Sequence, residues 1–171
     1  MYNHLVDDLD SCHIREHERT SVMFRTLAHQ QHGYDIFVVP DQFGFRHDGR
    51  PVRRARDVFA ENEFCLGAFA VGIMLLTHPE REVGRKQLHV DCAGDELAPF
   101  ANGDFSFAPI FRFNDGEVMF GAGHYYCAHE PHDSASAFLQ NQRLTTRSLF
   151  NVGGFLNCFI PNTFPYHFQK V

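Results

Sequence analysis

The stretch EFCLGAFAVGIMLLTH, Glu63 to His78, is the longest apolar run in the chain, and the fold is read outward from it. Leu66, Phe69, Ile73 and Leu76 recur at the 3, 4, 3 spacing of one helical face. Cys65, Ala68 and Gly72 form a second stripe of small residues at similar spacing, one that another backbone can approach closely. The pattern predicts a buried helix over 63–78, with Glu61 and Glu63 at the positive end of its dipole and His78-Pro79 as its stop. Gly67 and Gly72 oppose this, each costing about 1 kcal/mol relative to Ala in a helix interior. A helix apolar on all sides has to be wrapped by other elements, so it is expected to centre the core.

Downstream, Phe107 to Gly121 carries the strongest local signal. Asp115-Gly116 suits a type I′ turn, whose two central residues both need positive φ. A two-residue loop there pairs Asn114 with Glu117, Phe113 with Val118, Arg112 with Met119 and Phe111 with Phe120. That register puts Phe111, Phe113, Val118 and Phe120 on one face, so turn chemistry and hydrophobic pattern agree. Upstream, Asp10 or Ser11 is the expected cap of a helix running to about Gln31, with Phe24, Leu27 and Ala28 inward and Gly33 just past its end. Tyr34 to Val39 follows as a strand ended by Pro40, and Asp48-Gly49 as a hairpin turn beside Pro51. Gln87 to Asp91 is a short strand, Gly94 to Gly103 a loop, and Tyr125 to Ser136 a polar, His-rich connection. Phe150 to Phe168 is an irregular or strand-containing tail.

The chain of 171 residues is long enough to bury a core without staples, and is expected to form one domain over 1–171. A net charge of −6 counts against a general nucleic-acid binder. The start, MYNHLVDDLD, lacks the basic and apolar regions of a signal peptide, and the core run falls short of the ~20 residues that span a bilayer. Cys12, Cys65, Cys92, Cys127 and Cys158 are odd in number and contain no C-x-x-C pair. They read as reduced thiols in a cytoplasmic, reducing compartment, with no membrane segment.

Four clusters carry candidate chemistry. His13-Ile-Arg-Glu16-His17 matches H-x-x-E-H, a zinc pattern that needs a helix to bring both imidazoles to one face and a third ligand such as Glu82 or Glu96. His124, Cys127, His129 and His132 gather four zinc-compatible donors, with His89, Asp91 or Cys92 as further candidates, but their spacing fits no standard finger. Pro131 also forbids the helix that H-E-x-x-H needs. His89 with Cys92 is a candidate nucleophile pair where a strand gives way to a loop. Arg46, Arg50, Arg53, Arg54 and Arg56 crowd a segment whose one acid is Asp48, with Phe43 and Phe45 just upstream. Such a strip suits a phosphate, a carboxylate-rich protein surface or a nucleic-acid strand; the bland alternative is a solvated strip paired with Asp57, Glu61 and Glu63. The chain has no P-loop, no G-x-G-x-x-G after a strand and no G-x-S-x-G elbow, which argues against the corresponding nucleotide, dinucleotide and hydrolase chemistries.

The expected fold is α+β: an antiparallel sheet including the hairpin at 107–121, packed on the central helix at 63–78, with the N-terminal helix outside. The expected function is a non-enzymatic interaction protein, an inhibitor, immunity-type or accessory assembly protein, without a cofactor. It would present the arginine strip and aromatic surface to an anionic partner, most naturally another protein, and an oligomer or larger assembly is compatible with this. The alternatives are a zinc-dependent hydrolase or zinc-stapled domain using residues 124–132, and a nucleic-acid-binding accessory protein.

Overall fold

A computed structural model describes residues 13–78, 89–99, 103–114, 117–127, 132–139 and 156–161. The fold is α+β. Its elements are β1 (His13–Glu16), α1 (Glu18–Gln30), β2 (Ile36–Gln42), a 3-10 turn (Phe45–His47), α2 (Val52–Val58), β3 (Glu63–Cys65) and α3 (Ala68–Thr77). β4 (His89–Asp91), β5 (Asp95–Ala98), β6 (Phe107–Asn114), β7 (Glu117–His124), β8 (His132–Ser134), β9 (Ser136–Phe138) and β10 (Leu156–Pro161) follow.

The hairpin anchors the larger sheet. β6 and β7 pair in the expected register, Asn114 opposite Glu117 through Phe107 opposite His124. Along its other side β6 takes β4 at Ile110–Arg112 and β5 at Phe107, with Cys92–Gly94 bulging between them opposite Pro109. Pro109, which has no N–H to give a neighbour, is tolerated at such a break. β8 joins β4 in parallel and β1 joins β5 antiparallel. The smaller sheet, in the order β10-β2-β9-β3, is antiparallel throughout. One buried residue, Ala135, separates β8 in the first sheet from β9 in the second.

The core between these layers comprises Phe24 and Leu27 of α1, Phe37 and Val39 of β2, Phe64, Leu66, and Ala70, Val71, Met74 and Leu75 of α3. Phe111 of the hairpin packs against it, and its ring lies 3.6 Å from where a Cβ on Gly72 would stand. The small stripe thus receives a ring rather than a backbone. α1 lies outside, burying Thr20, Phe24 and Leu27 and leaving Val22 exposed.

Several local expectations are corrected. The helix does not span 63–78: Glu63–Cys65 is a strand paired with β9, and α3 begins at Ala68. The break is enforced at Gly67 and Gly94. A Cβ on Gly94 would stand 2.5 Å from the Gly67 nitrogen, so only glycine fits there where the two segments cross, and a Cβ on Gly67 would displace the Asp95 carboxylate, whose Oδ1 would lie 2.4 Å away. Nor is α3 buried on the expected stripe; Leu76 is 79% exposed.

α1 starts at Glu18 rather than near Asp10, and H-x-x-E-H lies on β1 and the residue capping α1. Pro40 sits within β2 instead of ending it, because β9 pairs only with Asp41 and Gln42 on that side. Asp48-Gly49 is not a hairpin turn: it joins the 3-10 turn to α2, with Gly49 at φ 68° and Pro51 in the capping position where its missing N–H costs nothing. The expected loop at 94–103 contains β5, and in the tail β10 pairs with β2 over six residues. The turn residues Asp115 and Gly116 lie outside the described residues.

Candidate functional site

The arginines of the strip differ in what they touch: Arg46, Arg50 and Arg56 meet polar groups of the protein, and of these only Arg56 is drawn in from the surface. Arg46 reaches Glu63 with its Nε 3.1 Å from Oε2, and its guanidinium lies 5.7 Å over the Phe138 ring. Arg50 Nη1 lies 3.3 Å from His47 Nδ1. Arginine only donates, so Nδ1 accepts and Nε2 carries the proton that His47 donates to Glu63 Oε1 at 2.7 Å. Ser136 Oγ donates to the same oxygen at 2.8 Å, and the Ala60 N–H to Oε2 at 3.3 Å. Burial alone would raise the Glu63 pKa, but the bonds from His47, Ser136 and Ala60 outweigh it and hold the carboxyl below its usual range. Gln42 completes the network, donating to Ser136 Oγ at 2.7 Å and accepting from the Gly44 N–H at 2.7 Å. Gly44 is left-handed, and a Cβ there would overlap Asp133. The centre of this network, Gln42, His47, Glu63 and Ser136, is buried and ties β3 to β9 and the 3-10 turn, while Arg46 and Arg50 reach it from the exposed surface.

Arg56 is also structural. Its Nε donates to the Ala93 carbonyl and its Nη2 to the Asp95 carbonyl, both at 2.9 Å, and Nη1 lies 3.6 Å from Glu96 Oε1. Phe43 is buried, whereas Phe45 is exposed.

Arg53 and Arg54 turn outward. α2 is a short helix, so consecutive positions on its solvent side present both guanidinium groups. Arg54 faces Asp57 at 4.0 Å with both side chains more than half exposed, a contact worth little in water. The Arg53 N–H donates to the Tyr125 carbonyl at 3.2 Å, which docks α2 against the end of β7. Its guanidinium lies 5.2 Å over the Tyr126 ring, a cation–π arrangement. Pro51, Arg53, Arg54, Asp57 and Tyr126 together line an open hollow of about 310 Å³.

The aromatic wall of the hollow is built by the end of the hairpin. His124 stacks on Tyr125 at 5.5 Å with the planes 6° apart, and Tyr125 meets Tyr126 at 4.1 Å. The Tyr126 N–H donates to His124 Nδ1 at 3.3 Å, which fixes the turn. A hydrogen bond with Tyr126 pushes the Tyr125 phenol above its usual pKa, so it remains a donor. Two cations, an exposed ring and a proline face suit an anionic group carried beside a flat or apolar one. Tyr126 was missed in the sequence because the His and Cys around it drew attention as metal ligands. The signal was there: the strand alternation stops at His124 and two tyrosines follow.

The other candidates are placed as follows. His124 ends β7 opposite Phe107, whereas His132 begins β8 opposite His89, level with Met119. The two are therefore three strands apart, about 14 Å across the sheet, and five residues out of step along it. Cys127 is exposed, and His129 and Glu82 lie outside the described residues. His13 and Glu16 fall on opposite faces of β1; burial, and to a lesser degree Asp95 across the ladder, raises the Glu16 pKa. Burial, then Arg56, lowers that of His17. Among the described residues no group of three or more His, Cys, Asp or Glu is placed to hold a metal ion. Cys92 is fully enclosed, and burial together with Asp95 and Asp91 pushes its thiol far up, while Cys65 is pushed up to about 12. Neither is a poised nucleophile. No helix among the described residues is long and apolar enough to cross a membrane.

Comparison with protein families, with characterised proteins and with solved structures yields no match.

Proposed function

We propose that the chain is a non-catalytic binding module that captures a partner protein through the hollow between α2 and the end of the hairpin. The partner supplies a carboxylate or phosphate to Arg53 and Arg54 and an aromatic or apolar side chain to Tyr126 and Pro51. One observation carries this reading: Arg53 and Arg54 line a hollow beside an exposed aromatic ring, while the guanidinium groups of Arg46, Arg50 and Arg56 are held by Glu63, His47 and two backbone carbonyls. The expected experiment is capture of an acidic, tyrosine-containing peptide, followed by tyrosine emission, which is readable because the chain has no Trp. The double variant Arg53→Glu, Arg54→Glu should abolish capture and leave the melting temperature unchanged. Undiminished capture by that variant would discard the hollow as the site.

A second reading takes the same hollow as a platform for single-stranded nucleic acid, favoured by the exposed Tyr126 ring continuing the His124–Tyr125 stack. The net charge of −6 ranks it second. It predicts oligonucleotide affinity falling steeply with added salt.

A further inference from the structure

β7 is a strand edge of unusual make-up. The Tyr125 N–H donates to the Ser106 carbonyl at 3.1 Å, extending the β6–β7 register by one step. In an antiparallel ladder hydrogen-bonded and non-bonded pairs alternate. Glu117, Met119, Gly121 and Gly123 therefore exchange backbone bonds with β6. Val118, Phe120, Ala122 and His124 turn their N–H and C=O groups the other way, where no strand among the described residues meets them, although the His124 carbonyl is taken by the Cys127 N–H at 3.0 Å. Edge strands are commonly blunted by Lys, Pro or a bulge. EVMFGAGH has none of these, and Val118, Met119 and Phe120 are all at least half exposed.

The strand also has two unlike halves, bulky from Val118 to Phe120 and small from Gly121 to Gly123. Neither glycine has positive φ, and a Cβ on Gly121 or Gly123 would meet only Ile110, at 3.9 and 3.8 Å, an ordinary contact. Nothing among the described residues requires glycine at either position, although glycine weakens a strand and often marks where another backbone approaches.

We propose that β7 pairs antiparallel with β7 of a second copy of this chain, about a two-fold axis at Gly121. A strand paired with its own copy in this way must set some residue opposite itself, because the two-fold preserves which face each side chain occupies. With Gly121 on the axis, Phe120 meets Ala122 of the copy, Met119 meets Gly123 and Val118 meets His124. Every bulky side chain of one strand then lies across from a small residue or the flat imidazole ring. The outward backbone groups of Phe120 and Ala122 fall in register to bond. Charge agrees with shape: antiparallel pairing brings the Glu117 end of one strand to the end of the other that carries His124 and, beyond it, Arg53 over Tyr126. The dimer would be one continuous sheet with a hollow on each copy.

The test is sedimentation velocity on the full chain from micromolar to submillimolar concentration. A concentration-dependent dimer is expected. Phe120→Lys, which adds a charge to an exposed side chain, should be monomeric with an unchanged far-UV spectrum. Independently, Gly121→Cys in a Cys127→Ser background should form an oxidised, disulfide-linked dimer, because directly opposed non-bonded residues have Cα atoms about 4.5 Å apart, within disulfide reach. A wild-type chain that stays monomeric, a Phe120→Lys variant that still dimerises, or a Gly121→Cys variant that does not cross-link would each overturn the proposal. None of these readouts involves the ligand of the hollow, so the two readings fail separately.

Discussion

Glu63 and Asp95 are both carboxylates inside the protein, at 0% and 5% exposure, yet their surroundings push them in opposite directions. Glu63 is met by His47, Ser136, the Ala60 N–H and Arg46, and it stays charged more readily than a carboxylate in water. Asp95 accepts the Ala68 N–H at 2.7 Å at the start of α3, with Arg56 nearby, and burial still raises its pKa to about 6. The difference lies in the number of donors. Several donors offset the desolvation of Glu63, whereas one amide and a neighbouring cation do not offset that of Asp95. Glu63 therefore acts as a fastener that holds the edge strand β3 to β9 and to the 3-10 turn. Asp95 gives direction to a helix start at a cost that depends on pH.

The largest effect should come from removing the fastener. Glu63→Ala leaves His47, Ser136 and Arg46 without their common acceptor and should cost about 3–5 kcal/mol, read from urea unfolding; Glu63→Gln should cost less, about 1–3 kcal/mol. A loss under about 1 kcal/mol for Glu63→Ala would mean the network does not hold β3 in place.

Next comes the pH dependence. Asp95 titrates at about 6 in the folded chain against 3.8 ordinarily, so its folded state binds the proton more tightly. Its contribution to stability is full below 3.8 and lost as pH rises toward 6. Asp95→Asn should remove that loss, gaining on the order of 2–3 kcal/mol relative to wild type between the two ends of the window. Glu16, raised as well, adds in the same direction. Glu63 runs the other way: its contribution is present above its ordinary 4.5 and lost as pH falls through its lower folded value. Parallel pH–stability curves for Asp95→Asn and wild type would sink the contrast.

The smallest effect separates the arginines. Arg56→Ala should cost about 1–3 kcal/mol because it strands the Ala93 and Asp95 carbonyls, while Arg54→Ala should stay within about 0.5 kcal/mol. Equal losses in chemical denaturation would erase the division between clamp and surface.

The hairpin was legible in the sequence because its turn preference and its alternating pattern are independent local signals that agree on one register. The start of α3 was not. Glu63 looks like an ordinary helix-flanking acid until His47, sixteen residues back, and Ser136, seventy-three residues on, close around it. The glycine crossing of Gly67 with Gly94 is likewise invisible without the second strand. Of the proposed surface, the richness in arginine was visible, but its division was not, because Arg56 differs from Arg54 only in what lies two residues around the helix.

Ala135 has a consequence for how the molecule comes apart. Its N–H bonds the Asp91 carbonyl of the larger sheet and its carbonyl takes the Leu66 N–H beside the smaller one. One residue thus stitches both layers with no slack. Neither layer can peel away while the other persists, so amide deuteration on either side of that stitch should proceed as a single event.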